Sequence, residues 1–223
     1  MSTVMSPPST GQQATEVGEH RVVMGNVSWD TYEGLLTALI DASSPRITYD
    51  RGTLEIMSPS RKHEEAKEVI ATIADSVALE WGIEFLKLGS TTFRRHDLEQ
   101  GLEPDSCFYI ENVERIRGDR ELDLQVDPPP DLVIEVEIST ALVNKLPIYA
   151  GLGVPELWVT DGCEVRILRL AAGKYRATEK SRVLPPLTAP VLTELLQQSK
   201  TMKTLAWRRR VREWALQKVK GKV

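Results

Sequence analysis

Three carboxylates share one face of a short apolar segment of the sequence. Residues 128–140 read PPPDLVIEVEIST, and the middle of this run is typical of a buried β-strand. Alternate residues of a strand point to opposite faces, so one face is apolar and the other carries Asp131, Glu135 and Glu137. Glu135 and Glu137 would lie about 6–7 Å apart, and at an effective dielectric constant near 20 they would repel each other by roughly 2.5 kcal/mol.

Exposure to solvent, Arg or Lys partners, or a divalent cation would each relieve this repulsion. Oxygen ligands without a His or Cys cluster favour Mg²⁺ or Mn²⁺. Asp105 begins a second strand-like segment and is a candidate partner. Lys145, in the first turn of a predicted helix, opposes the helix dipole, so it is either a surface lysine or a residue placed to meet the carboxylates. If a cation belongs there, removing Glu135 would leave the metal-free protein no less stable.

The elements around these residues predict a single α/β domain with a mixed sheet. Hydrophobic periodicity predicts helices in residues 28–40, 58–82 and 145–152 and in two segments after residue 188, and it predicts strands between them. A hairpin turn is expected at Asp50-Arg51-Gly52, and His63, early in the long helix, is expected to be solvated. We expect a disordered tail at 1–24, a domain at 25–187 and a helical basic extension at 188–223.

Composition and charge limit the possible environment and partners. The chain has 223 residues, 41% of them hydrophobic and 27% charged, with no apolar run long enough to span a bilayer and no visible secretion signal, so a cytoplasmic protein without a membrane partner is expected. Residues 200–223 carry nine Lys or Arg and one Glu, a net charge of +8 on a chain of net charge −4. Such a tail fits either a polyanion partner or a solvated helix.

Several arginines suit a path for nucleic acid. Arg94 and Arg95 are neighbours in a predicted strand, so at most one of them faces the site, and Arg208, Arg209 and Arg210 lie together on the last predicted helix.

The motifs together resemble a known nuclease pattern. Pro104-Asp105, Glu135-Val136-Glu137 and Lys145 are similar to the PD-(D/E)XK pattern, although Glu137 stands where that pattern has its lysine. The branch that the chain resembles most is the Uma-two family, over about residues 26–170. The segments that carry the resemblance are YDRGTLEIMSPS, HEEAKE, STTFRR, EPDSCFYI, PPPDLVIEVEIST and KLPIYAGLGVPELWVTDG.

The resemblance implies an α/β fold, with a restriction-endonuclease-like core in which helices flank a central mixed sheet. It implies an endonuclease that hydrolyses phosphodiester bonds in DNA with Mg²⁺ or Mn²⁺, and a homodimer formed through the C-terminal helices. Asp105, Glu135 and the Val136 carbonyl would hold the metal, with Glu137 of the same acidic face as a further candidate ligand. Lys145 would orient or activate water or stabilise charge on phosphorus.

Two points stay open at the level of the sequence. The resemblance also implies an acidic residue on the long helix that helps to bind the metal or water, for which Glu64 is the first candidate and Glu65 the neighbour that makes the choice ambiguous. The displaced lysine leaves two rivals to an active nuclease. One is a weak or inactive nuclease fold that binds nucleic acid or protein, and the other is a small interaction protein with a purely structural acidic strand.

Overall fold

The computed structural model describes residues 19–39, 45–118, 122–140 and 142–220, and within these ranges the chain forms two β-sheets and six α-helices. The strands are β1 (His20–Met24), β2 (Arg46–Asp50), β3 (Thr53–Ser58), β4 (Leu86–Lys87), β5 (Phe93–Arg95), β6 (Gln100–Leu102), β7 (Ser106–Tyr109), β8 (Leu132–Val136), β9 (Glu156–Thr160), β10 (Val165–Ala171) and β11 (Lys174–Thr178). The helices are α1 (Trp29–Ala38), α2 (Arg61–Glu80), α3 (Val113–Ile116), α4 (Lys145–Leu152), α5 (Ala189–Thr201) and α6 (Thr204–Lys220).

The described strands divide between an antiparallel sheet and a mixed sheet. The first has the order β1-β3-β2-β6-β5, and the second has the order β11-β10-β9-β8-β7-β4. In the second sheet β8 pairs with β9 in parallel and with β7 in antiparallel orientation, so β8 lies inside the sheet. The chain passes from the first sheet to the second between β3 and β4, returns for β5 and β6, and crosses again between β6 and β7, at the position of Asp105.

Local signals explain where several elements begin and end. The β2–β3 hairpin turns at Arg51 and Gly52, whose φ angles of 44° and 89° are both positive, as a tight two-residue hairpin turn requires. Helix α4 begins after Asn144, whose side chain accepts the N–H of Leu146, and ends at Gly153 in the left-handed region. The predictions of this hairpin and of this helix are confirmed.

The two faces of β8 meet different parts of the protein. Leu132 and Ile134 belong to a buried cluster with helices α2, α5 and α6, whereas Val133 belongs to a second cluster with helix α4. The alternation predicted from the sequence is therefore present, and Glu135 faces helix α4.

The two ends of the chain differ from the sequence expectations. The predicted tail is wrong for residues 20–24, because they form β1, which pairs with β3; residues 1–18 lie outside the described residues. Helices α5 and α6 pack against α2 and bury Leu195, Trp207 and Val211 in its core cluster, so they do not project as an extension. In the described ranges, no helix has the length and apolar character needed to cross a membrane.

Candidate active site

Glu135 lies at the end of β8 and is held by two residues of helix α4. Its side chain is 3% exposed, Lys145 Nζ lies 2.7 Å from its Oε2, and the hydroxyl of Tyr149 donates to its Oε1. Lys145 and Tyr149 are four residues apart and therefore lie on the same face of α4. The helix, set in place by its Asn144 cap, thus presents both donors to one buried carboxylate.

Asp105 is the second buried carboxylate, at the crossing between the two sheets. Its Oδ2 accepts the backbone N–H of Val136 at 2.8 Å, which places it directly beside the end of β8. Its Oδ1 lies 2.8 Å from Nε2 of His63, the third residue of helix α2. Asp105, Glu135 and Lys145, all candidates from the sequence, are therefore close together in the fold.

The electrostatics of this cluster reflect burial and the charges within it. Burial raises the pKa of Glu135 to about 7; Lys145 and Tyr149 oppose this rise, whereas the charge of Asp105 adds to it. For Lys145, burial would lower the pKa, but the charges of Glu135 and Asp105 outweigh burial and raise it. For Asp105, burial is outweighed by the hydrogen bond from His63, the charges of Lys145 and His63, and the N–H of Val136, so its pKa is lowered.

His63 is a site residue that the sequence did not reveal, and the expectation that it is solvated is wrong. Its side chain is fully buried, and its Nδ1 lies 2.6 Å from Oε1 of Glu19, just before β1. Burial acts against the charged ring, but the hydrogen bonds and charges of Asp105 and Glu19 together raise its pKa. The hydrophobic pattern of helix α2 carries no signal for this role, since both carboxylate partners lie more than 40 residues away in the chain.

A polar cavity of about 500 Å³ opens at Lys145 and is lined by residues 137–140 and 142–145. Glu137 follows the end of β8 and lines this cavity. The Glu137 carboxylate is 3.5 Å from Arg166, so it is paired separately from Glu135. Asp131, the third acidic residue of the segment, accepts the N–H groups of Ile110, Glu111 and Asn112 and has a structural role. The acidic face predicted from the sequence therefore divides into three separate environments.

Glu64 and Glu65 occupy different positions at the start of helix α2. Glu64 is 38% exposed, contacts Lys67, and lies 3.9 Å from Arg46. Glu65 points outward, 58% exposed, in an ion pair with Arg61 at 2.6 Å. Of the two, Glu64 is the one turned toward the domain, and its assignment as a metal ligand stays a prediction.

The candidate nucleic-acid residues do not all lie near the cluster. Arg94 lines a second cavity of about 740 Å³ together with Arg46 and Glu103, whereas Arg95 turns to Asp97 at 2.6 Å. Helix α6, which carries Arg208, Arg209 and Arg210, packs on the α2 side of the mixed sheet, and Glu135 faces the opposite side.

The donor set at the cluster suits a hard cation. All four carboxylate oxygens of Asp105 and Glu135 accept a hydrogen bond from the protein, but a carboxylate has roughly four lone-pair sites, so lone pairs remain on both. Within the described ranges, no group of three or more His, Cys, Asp and Glu residues is arranged to hold a metal. Mg²⁺ is compatible with such a site, because proteins often bind it through one or two carboxylates while water and substrate phosphates complete its coordination.

Comparisons with known proteins place the chain among nuclease-like proteins. A family model described as "Putative restriction endonuclease" matches residues 29–202. A crystal structure of a "putative nuclease" from Anabaena variabilis has a TM-score of 0.50 and 16% sequence identity, and the match covers 76% of this chain and 99% of that one. A search of curated proteins gave no match.

At 16% identity the structural likeness is evidence for the fold alone, and it agrees with the predicted restriction-endonuclease-like α/β core. The family match supports a nuclease function in general and confirms the resemblance seen in the motifs, because it extends over most of the 223 residues. The chain that brings Asp105, Glu135 and Lys145 together at the end of β8 belongs to the Uma2 family.

Proposed function

We propose that the protein is a metal-dependent endonuclease that hydrolyses phosphodiester bonds in DNA. The observation that carries the proposal is the convergence of Asp105, Glu135 and Lys145 beside a polar cavity, in a chain of a nuclease-like family. Two buried carboxylates beside one lysine ammonium group match what phosphodiester cleavage needs. The reaction requires a site for a divalent ion, a positioned water molecule and positive charge near the phosphate.

In this proposal Asp105 and Glu135 would hold Mg²⁺ or Mn²⁺, and the bound ion would supply positive charge at the phosphate and a more acidic water. Lys145 has three N–H donors and uses one on Glu135, so the others are free to donate to phosphate oxygens at the cavity. Because Lys145 is one half of a buried ion pair, its role is electrostatic, and it stabilises negative charge that develops on phosphorus. Tyr149 keeps Glu135 directed toward this position.

Cleavage of plasmid DNA tests the proposal. We expect the purified protein to nick or linearise supercoiled plasmid with Mg²⁺ or Mn²⁺ and to be inactive with EDTA. Glu135→Gln should slow cleavage roughly a hundred- to ten-thousand-fold, because metal stabilisation of the transition state amounts to several kcal/mol. Parallel reactions with single-stranded DNA, duplex DNA and RNA oligonucleotides establish the substrate.

Glu156→Gln is a matched control for the loss of a buried carboxylate. Glu156 is fully buried and accepts hydrogen bonds from Trp158 and Ser181, and it lies at the opposite end of the parallel β8–β9 pair from Val136. This variant should cleave at the wild-type rate at temperatures where it is folded. Equal cleavage by wild type and Glu135→Gln would refute the proposed site.

One observation favours a second candidate, an inactive nuclease fold that only binds nucleic acid. Every oxygen of Asp105 and Glu135 is already engaged by a protein donor, which is the arrangement expected if the carboxylates are structural. Tight binding in a gel shift that is unaffected by EDTA, together with no cleavage of any substrate by wild type, would favour this candidate.

Whether the basic helix α6 contacts DNA is tested by substitutions and not by a deletion. Trp207, Val211 and Ala215 are buried, so a deletion of the helix would disrupt the core. If the exposed Arg208 and Arg209 contact phosphates, Arg208→Gln/Arg209→Gln should reduce the slope of log K against log salt by about two units. Fluorescence anisotropy with duplex DNA over a salt series measures the slope.

The control for this measurement is Arg115→Gln/Arg176→Gln, which removes two charges that are also exposed but lie outside α6. If both double variants keep the wild-type slope, Arg208 and Arg209 are solvated surface residues that do not contact DNA. The proposed homodimer, which would cut both strands of a duplex, is tested separately by light scattering of the full chain.

A further inference from the structure

His63 connects the candidate active site to the residue just before the first strand. Its ring is fully enclosed, and each ring nitrogen contacts one carboxylate: Nε2 contacts Asp105 at 2.8 Å and Nδ1 contacts Glu19 at 2.6 Å. The side chains of both acids are themselves at most 1% exposed. The ring therefore has a single orientation, because a turn about its bonds would leave Oδ1 of Asp105 and Oε1 of Glu19 buried without a donor.

The two hydrogen bonds on Asp105 come from different elements and together fix its carboxylate. His63 of helix α2 occupies one oxygen, and the N–H of Val136 at the end of β8 occupies the other. The direction of the remaining lone pairs of Asp105 is therefore set by the position of helix α2 relative to β8.

Glu19 is in turn held by one residue of the loop that lines the cavity and one residue of β1. Its Oε2 accepts a hydrogen bond from the hydroxyl of Ser139, in the loop that lines the cavity, and lies 3.1 Å from Nη2 of Arg21. Arg21 also reaches Ser139 at 3.2 Å and the buried Glu55 at 2.6 Å. The start of β1 and the cavity loop are thus joined at the point where His63 is anchored.

We propose that His63 is a positioning residue for Asp105 and that Glu19 fixes the His63 ring; this inference assumes the proposed function. A buried chain of ionisable groups is a poor way to gain stability, because apolar residues of similar volume are often equally or more stabilising. The chain instead orients the Asp105 carboxylate. Replacing residues that orient metal ligands typically changes metal affinity or activity by about 10- to 100-fold.

The test uses His63→Gln and Glu19→Gln in the full chain, with two readouts. The first is the cleavage rate over a Mg²⁺ series, and the second is the Mg²⁺-dependent shift of Tm without DNA. For both variants we expect the Mg²⁺ midpoint to rise about tenfold or more in each readout, and the rate at saturating Mg²⁺ to fall about 10- to 100-fold. A purely structural role would lower Tm and leave the midpoint of the folded protein unchanged, as we expect for Glu156→Gln.

The outcomes separate this inference from the proposed function. If wild type neither cleaves nor responds to Mg²⁺, the proposed function fails. If wild type cleaves in a Glu135-dependent manner while His63→Gln and Glu19→Gln keep its rate and midpoint, the positioning role is overturned.

If either substitution prevents folding, Ser139→Ala decides, because it removes only the hydroxyl that contacts Glu19 and Arg21 at a half-buried loop position. A severalfold rise in the Mg²⁺ midpoint then supports the proposal, and an unchanged midpoint overturns it.

Discussion

Replacing Glu135 with Ala should lower the free energy of unfolding of the metal-free protein by about 3–5 kcal/mol, since removing one partner of a buried ion pair leaves the other charge uncompensated. Lys145 is only 10% exposed on its side chain, so water replaces the lost carboxylate only in part, and the hydroxyl of Tyr149 loses its acceptor as well. For a chain of this length the loss corresponds to a fall in Tm of roughly 10 °C. Urea unfolding in EDTA measures the change.

A double variant provides the control for this prediction. Glu135→Leu/Lys145→Met removes both charges while keeping apolar volume, and it should recover most of the stability that Glu135→Ala loses. If Glu135→Ala is as stable as wild type, the 2.7 Å contact with Lys145 does not stabilise the fold, and the result would match the expectation from the sequence for a cation site, in which the removal of Glu135 does not lower stability.

The contrast between these expectations shows what the sequence can and cannot establish about the site. Parity along residues 131–137 correctly predicts that Glu135 lies on the face opposite Leu132 and Ile134. It cannot predict that Asp131 accepts three backbone N–H groups or that Glu137 turns to Arg166, because those partners belong to separate elements. Charge repulsion counted along a strand therefore overstates the repulsion in the folded protein.

Elements with local signals are the ones that the sequence predicts well. Helix α4 begins at Lys145 and ends at Leu152, as expected, because the Asn144 cap and Gly153 are adjacent to the helix that they delimit. The start of β1 has no comparable signal. Arg21 and Glu19 acquire their roles through Ser139, which lies 118 and 120 residues away, and short polar segments near a chain end resemble a disordered tail in composition.

For helix α6, the sequence predicts the charge of the helix but not its position in the fold. The excess of Lys and Arg is evident from composition, but the packing of α6 on α2 depends on distant apolar residues, and Arg212 meets Glu80 at 2.6 Å across 132 residues of chain. The sequence predicts that this helix forms and that it is basic. It does not predict that the basic helix packs on the side of the mixed sheet that faces away from Glu135.

Glu55→Ala should destabilise the protein by about 3 kcal/mol or more, because this buried carboxylate serves three donors at once. Glu55 is 1% exposed. One of its oxygens accepts a hydrogen bond from the guanidinium of Arg21, and the other accepts hydrogen bonds from the N–H groups of Leu142 and Val143 at 2.9 and 3.1 Å. Its loss leaves the loop that precedes helix α4 without its link to β3. We expect a lower urea midpoint and amide hydrogen exchange at Val143 that is at least about tenfold faster.

Glu65→Ala is the control for Glu55→Ala, since Glu65 makes an exposed ion pair with Arg61 on helix α2, and removing it should cost less than about 1 kcal/mol. Glu55→Gln adds a graded step, because an amide keeps one acceptor oxygen and cannot serve all three donors. If Glu55→Ala costs no more than Glu65→Ala, or if Val143 exchanges at the wild-type rate, the loop is held by other contacts. In that case Lys145 owes its position to helix α4 alone and not to the link between the two sheets.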